Sequence, residues 1–140
     1  MITRLFQQAT VLLLFCATAH CSSGGGAPPD CSGSSCVCNS GDACDIGGSA
    51  CEDKSCSLKC ADKTECTGSC GESCSLDCNS GSSCAITVGK SGSVTCAGGS
   101  TCHITCTGSC SVSCSGGSTC DLTCAGETEA KSIPEGGKCE

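Results

Sequence analysis

Residues 96–124 read CAGGSTCHITCTGSCSVSCSGGSTCDLTC, and the first ten of them recur, with three changes, at residues 114–123. Cysteine, glycine and large apolar residues occupy the same places in both copies, eighteen positions apart. A fixed period of this kind is typical of proteins built from stacked structural repeats. The segment therefore predicts an architecture in which each copy forms one coil.

The eighteen-residue spacing extends through most of the chain. Pairs of cysteines six residues apart begin at Cys60, Cys78, Cys96 and Cys114, and an earlier pair begins at Cys38, 22 residues before Cys60. One apolar column contains Leu58, Leu76, Val94 and Val112, and another contains Ile86, Ile104 and Leu122, with Ile46 and Gly68 upstream. The coil that starts at Cys38 thus carries four extra residues, and the later coils keep a constant length.

Within each copy the residues alternate as they do in a β-strand. Cys102, Ile104 and Cys106 fall on one side of the chain, and the two residues between them fall on the other. Glycine-rich corners such as residues 98–99 separate these short runs. We therefore predict an all-β, disulfide-rich, right-handed β-solenoid with 18-residue coils over residues 38–124, in which equivalent residues stack about 4.8 Å apart.

The composition excludes a conventional hydrophobic core. After Cys21 only eleven of 119 residues are large and apolar, and the chain contains neither Trp nor Tyr. A chain this poor in apolar side chains is expected to stay disordered unless covalent links stabilise it. Because the chain has 22 Cys, disulfides are the expected source of order, and they place the protein in an oxidising compartment.

One coil indicates which cysteines are paired. Val88 and Gly92 stand where other coils have Cys70 and Cys74, or Cys106 and Cys110, so both cysteines are missing together. Joint loss is what a bridge within the coil would produce. The predicted pairs are Cys31–Cys36, Cys38–Cys44, Cys51–Cys56, Cys60–Cys66, Cys70–Cys74, Cys78–Cys84, Cys96–Cys102, Cys106–Cys110, Cys114–Cys120 and Cys124–Cys139. The alternative arrangement joins neighbouring coils, and the even number of cysteines permits it equally.

The two ends of the chain have their own compositions. Residues 1–20 resemble an export signal, with Arg4 before an apolar run that is too short to span a bilayer. Two alternatives arise: cleavage after Ala19, or lipidation of Cys21 as in bacterial lipoproteins, which would leave an even number of thiols. Residues 21–37 are predicted to form a flexible tether, and residues 125–140 a loosely attached polar cap pinned by Cys139.

Charge and titratable residues argue against several functions. After Cys21 there are six Lys and fourteen Asp plus Glu, with no basic stripe and no aromatic residue, so we expect no nucleic-acid partner. His103 is expected to be a solvated surface residue, and no carboxylate pair recurs in register, so we expect neither an enzyme nor a cofactor. Thiolate binding of a metal is a weaker alternative, because only residues 36–38 form a Cys-x-Cys step.

The outward hydroxyl groups are the feature best able to recognise another molecule. Thr87, Thr105 and Thr123 share one register and are predicted to form a ladder on an exposed sheet face. Hydroxyl ladders of this kind can bind ice, glycans or the edge of another sheet. They are also explained simply by solubility and by the preference of Thr for strands.

A Cys pair six apart within a coil resembles the beetle antifreeze β-solenoids, whose coils are likewise stapled by disulfides. Their repeated Thr-Cys-Thr face corresponds here to Thr101-Cys102-His103 and Thr119-Cys120-Asp121, so charged or bulky groups interrupt the row. The Cys/Gly/Ser repeat behind a lipoprotein-like leader also resembles uncharacterised bacterial surface proteins. We therefore expect a non-enzymatic surface or envelope protein, a rigid spacer or adhesive module. Its membrane contact would be limited to the N-terminal lipid, and ice or glycan binding is the alternative.

Overall fold

The computed structural model describes residues 29–38, 43–46, 51 and 55–140, and these residues form strands, turns and loops without a helix. Their thirteen strands are β1 (Asp30–Ser32), β2 (Ser35–Cys38), β3 (Ala43–Asp45), β4 (Ser57–Cys60), β5 (Glu65–Cys70), β6 (Ser75–Cys78), β7 (Ser83–Val88), β8 (Gly92–Cys96), β9 (Thr101–Cys106), β10 (Cys110–Cys114), β11 (Thr119–Thr123), β12 (Lys131–Ser132) and β13 (Gly136–Cys139).

The strands form two stacked sheets, in which strands of successive coils run parallel, and this confirms the predicted β-solenoid. The first sheet has the order β1-β2-β4-β6-β8-β10-β13, and the second has the order β12-β11-β9-β7-β5-β3. Each coil therefore contributes one strand to each sheet, and the chain changes sheet at every corner. The two sheets enclose a single thin layer of side chains.

The register of the strands reproduces the eighteen-residue period. Val94 pairs with Val112, and Ile86 pairs with Ile104, each with its equivalent in the next coil. All the inward side chains of these columns are buried, with relative exposures of 0–5% for the Cys, Ile, Leu and Val residues of the core. The interior is thus a set of ladders in which cysteine supplies much of the buried volume.

Disulfides close the coils at their corners. Each bridge six residues apart, such as Cys96–Cys102, spans a four-residue corner that leads from the first sheet to the second. Bridges four residues apart, such as Cys106–Cys110, span the three-residue return corner. The ten disulfides among the described residues join the same ten pairs that the sequence predicts: across the β1–β2 pair, within the coils, and between the last coil and Cys139.

One coil replaces its second disulfide by apolar packing. Val88 is completely buried at the position of Cys70 and Cys106, with which it is in register. A Cβ added to Gly92 would overlap the Val88 Cγ1 atom, so glycine is required beside it. The valine side chain therefore occupies the space that a cystine fills in the other coils.

Each of the four-residue corners that the structure describes contains two consecutive residues with positive φ. Gly98 and Gly99 have φ of 65° and 76°, and an inward hydroxyl completes the turn, because the Ser100 Oγ donates to the carbonyl oxygen of Ala97 at 2.7 Å. In an earlier coil Asp62 and Lys63 adopt φ of 59° and 64° without glycine. Left-handed conformations cost non-glycine residues about 1–2 kcal/mol each, and Asp tolerates them better than Lys. Lys63 is therefore a strained residue.

Substitution Lys63→Gly is expected to raise the free energy of unfolding by about 0.5–1 kcal/mol, since relief of strain exceeds the added entropy of the unfolded chain. Urea unfolding with disulfides intact measures the change. The control is Lys59→Gly in β4, an exposed strand position where the same substitution should destabilise by about 0.5–1 kcal/mol. A loss of stability in the Lys63 variant would contradict this account of the corner.

The solenoid begins earlier than the predicted residue 38, and the predicted C-terminal cap is attached by strands as well as by Cys139. The composition assigns residues 30–37 to the tether, but β1 pairs with β2 in an antiparallel manner and β2 pairs with β4 in parallel. The polar residues 125–140 are also attached through strands, because β12 pairs with β11 and β13 pairs with β10. Sequence periodicity misses these antiparallel strands, since they have no counterpart eighteen residues away.

The predicted export signal at residues 1–20 and the lipidation site Cys21 lie outside the described residues. Among the residues that are described, no helix has the length and apolar character needed to cross a bilayer.

Candidate recognition surfaces

The predicted threonine ladder lies on the outer face of the second sheet. Thr105 pairs with Thr87 on one side and with Thr123 on the other, and Ser69 precedes them in the same register. Thr105 is exposed, and the other two threonines are half-buried. The structure thus aligns all three residues on an outward face, as the alternation of the sequence predicts.

The neighbouring column of this face carries charged and bulky groups. His103 and Asp121 are adjacent across β9 and β11, and the His103 Nδ1 lies 3.2 Å from the Asp121 Oδ2. Ala85 and Thr67 continue the column. His103 is exposed, as predicted. Because this column changes from one coil to the next, the outer face is not a uniform array of hydroxyl groups.

A longer hydroxyl ladder, absent from the sequence-based predictions, lies on the outer face of the first sheet. Five serines stack in consecutive coils, each in register with the next: Ser35, Ser57, Ser75, Ser93 and Ser111. The first four are exposed, and Ser111 is half-buried. Four steps of about 4.8 Å give this ladder a length of about 19 Å. The sequence does carry a signal for it, since each serine directly precedes a member of the core column or Cys36.

The serine ladder ends against the C-terminal cap. Lys138 of β13 lies opposite Ser111, and both line a shallow groove of about 450 Å³ together with Glu135. The column beside the serines contains Lys59 and Asp77, which are in register. The first sheet therefore presents small hydroxyl groups flanked by charges of both signs.

Stacking also brings sulfur atoms of different coils together. The Sγ atoms of Cys96, Cys102 and Cys120 all lie within 4.8 Å of one another, and other groups of three recur along the stack. Every member of these groups is in a disulfide. A metal site requires thiolates, so the oxidised protein offers no thiolate ligand at these groups.

The cap contains an ion pair close to the last coil. The Lys131 Nζ bonds to the Glu127 carboxylate, and the Cys124 amide also donates to it. The hydrogen bond from Lys131, followed by that from Cys124, lowers the pKa of Glu127 below its ordinary value. The pair lies at the surface and links the turn after Cys124 to the first residue of β12.

Comparison with known proteins adds no relative. No family model, curated protein or solved structure matches the chain.

Proposed function

We propose that this protein is a non-catalytic structural module of the cell exterior, a rigid spacer that holds the C-terminal end of the solenoid away from its N-terminal attachment point. The observation that carries the proposal is the cystine at almost every corner. Disulfides at this density form and persist in oxidising compartments outside the cytosol. Corners closed in this way leave each coil little freedom to bend.

The cap over the last coil supports a role for single molecules rather than fibres. Exposed edges of parallel strands invite pairing with another chain, and proteins protect them with short, charged or irregular strands. Here β12 carries Lys131, β13 carries Lys138, and Pro134 lies between the two strands. These strands cover the last coil on both sheets. End-to-end stacking of solenoids is therefore opposed.

The intact mass of the natural protein tests its compartment and attachment. We expect loss of the export signal, a diacyl or triacyl lipid on Cys21, and twenty hydrogens fewer than the reduced chain, two for each of ten disulfides. Cleavage after Ala19 without lipid would instead indicate free secretion. A native protein with about twenty titratable thiols would refute the extracellular, cystine-based interpretation.

Ligand binding is the second candidate, and the uninterrupted serine ladder favours it. The test is retention on ice and on insoluble glycans such as cellulose and chitin, with Ser75→Lys and Thr105→Lys as variants of the two outer faces. The spacer role predicts that wild type and both variants are retained equally weakly. Specific retention of the wild type that either variant abolishes would replace the spacer by a recognition function.

A further inference from the structure

One disulfide is accessible from solvent. Among the described cysteines Cys31 alone is exposed, Cys124 is half-buried, and the others are buried. Cys31 pairs directly across β1 and β2 with Cys36, whose exposure is only 1%. A thiolate from outside can therefore approach the Cys31 sulfur, whereas the Cys36 sulfur is shielded by the first coil.

The buried partner contacts a second disulfide. The Sγ atoms of Cys36 and Cys51 are 3.2 Å apart, and the Sγ of Cys56, the partner of Cys51, lies within 4.8 Å of both. All three sulfurs are in disulfides, so no thiol hydrogen links them. A thiolate released on Cys36 would thus be formed in contact with a disulfide that it can attack.

We propose that Cys31–Cys36 is a thiol-exchange site through which the protein attaches covalently to a small external thiol. The external thiolate attacks the Cys31 Sγ, a mixed disulfide forms there, and the Cys31–Cys36 bond breaks with its electron pair on Cys36. The Cys36 thiolate then attacks Cys51, a Cys36–Cys51 bond forms, and Cys56 leaves as the thiolate. One thiolate enters and one is released, so no oxidant or reductant is consumed.

The second step makes the attachment durable. A mixed disulfide on Cys31 is normally reversed when the neighbouring Cys36 thiolate attacks it again. Once Cys36 is bonded to Cys51, reversal requires the Cys56 thiolate to attack Cys51 first and release Cys36, so two exchanges are needed where one sufficed before. The new Cys36–Cys51 bond replaces both Cys31–Cys36 and Cys51–Cys56, so the protein loses one internal cross-link in exchange for the external thiol.

Other stacked sulfurs are less accessible than Cys31. Cys78, Cys84 and Cys102 also have Sγ atoms within 4.8 Å of one another, but each is 0% exposed. The group of Cys106, Cys110 and Cys139 can be reached only through Cys124, which is half-buried and bonded to Cys139. Exchange should therefore begin at Cys31, and this expectation is independent of whether the protein acts as a spacer.

The test treats the native, fully oxidised chain with one equivalent of glutathione, traps thiols with N-ethylmaleimide and maps the peptides by mass spectrometry. We expect glutathione on Cys31, a Cys36–Cys51 link, and N-ethylmaleimide on Cys56, which tryptic peptide 55–59 isolates. The control is Cys51→Ser/Cys56→Ser, which lacks the disulfide that Cys36 would attack. In this variant N-ethylmaleimide should label Cys36, and glutathione should be released from Cys31 faster than in the wild type.

Three results would overturn the inference. The first is maleimide on Cys36 rather than Cys56 in the wild type, which would show that the second step does not occur. The second is glutathione spread over several disulfides in comparable amounts. The third is an absence of any glutathione adduct, since the exposed Cys31 would then not be an entry point.

Discussion

Complete reduction of the disulfides is expected to abolish the β-sheet signal in circular dichroism at 25 °C. Ordering the backbone costs about 1–2 kcal/mol per residue. Against this cost, Val94 and Ile104 are the only large apolar side chains buried in residues 92–106 besides the cysteines. Each short-loop disulfide stabilises by about 2 kcal/mol in the chain-entropy model. Loss of all ten should therefore leave the chain unfolded.

The measurement compares oxidised protein with protein that is reduced and alkylated with iodoacetamide. Because alkylation also adds bulk to buried cysteines, a second sample is kept in excess reductant without alkylation. Both samples should lose their sheet signal, and the unalkylated sample should regain it on reoxidation. Retention of the sheet after complete reduction would show that apolar and hydrogen-bonded ladders suffice without cystine.

Substitution of Val88 and Gly92 together by cysteine is expected to add one further disulfide and to stabilise the protein by about 2 kcal/mol. The two positions lie between Cys70–Cys74 and Cys106–Cys110 in the stack, whose Cα atoms are 6.0 and 6.2 Å apart. By contrast, Gly92→Cys alone should destabilise by about 1–3 kcal/mol, because its Cβ would overlap the Val88 side chain.

Urea unfolding and intact mass distinguish the outcomes. The double variant should lose two further hydrogens and unfold at higher urea than wild type. Val88→Ser/Gly92→Ser is the matched control, since it has side chains of similar size that cannot bond. A double variant that folds with two free thiols would show that this coil has a different geometry from its neighbours.

Residues that repeat were predictable, because stacking gives every inward position the same environment in each coil. The joint absence of cysteine at Val88 and Gly92 was sufficient to indicate pairing within coils. The threonine ladder could be derived from the same register, since alternation along β9 places the Thr105 side chain on the outer face and that of Ile104 on the inner face.

Structure that occurs once could not be found in this way. The composition of residues 21–37 is typical of a tether. Residues 30–38 nevertheless form a hairpin, in which Cys31 and Cys36 are paired across the two strands. Likewise, β13 is rich in glycine because a Cβ on Gly136 would collide with the backbone of Val112. Such close antiparallel contacts depend on three-dimensional packing and leave no periodic trace in the sequence.

Disulfides within coils have a mechanical consequence. If the two ends of the chain are pulled, neighbouring coils are held by strand hydrogen bonds, because the bridges from Cys38–Cys44 to Cys114–Cys120 each close a single coil. Coils would peel away one at a time. Cys96 and Cys102 would nevertheless stay 6.4 Å apart at their Cα atoms, although six extended residues span about 20 Å. The residues between them carry no load, so each rupture releases less length than it would in a chain without disulfides.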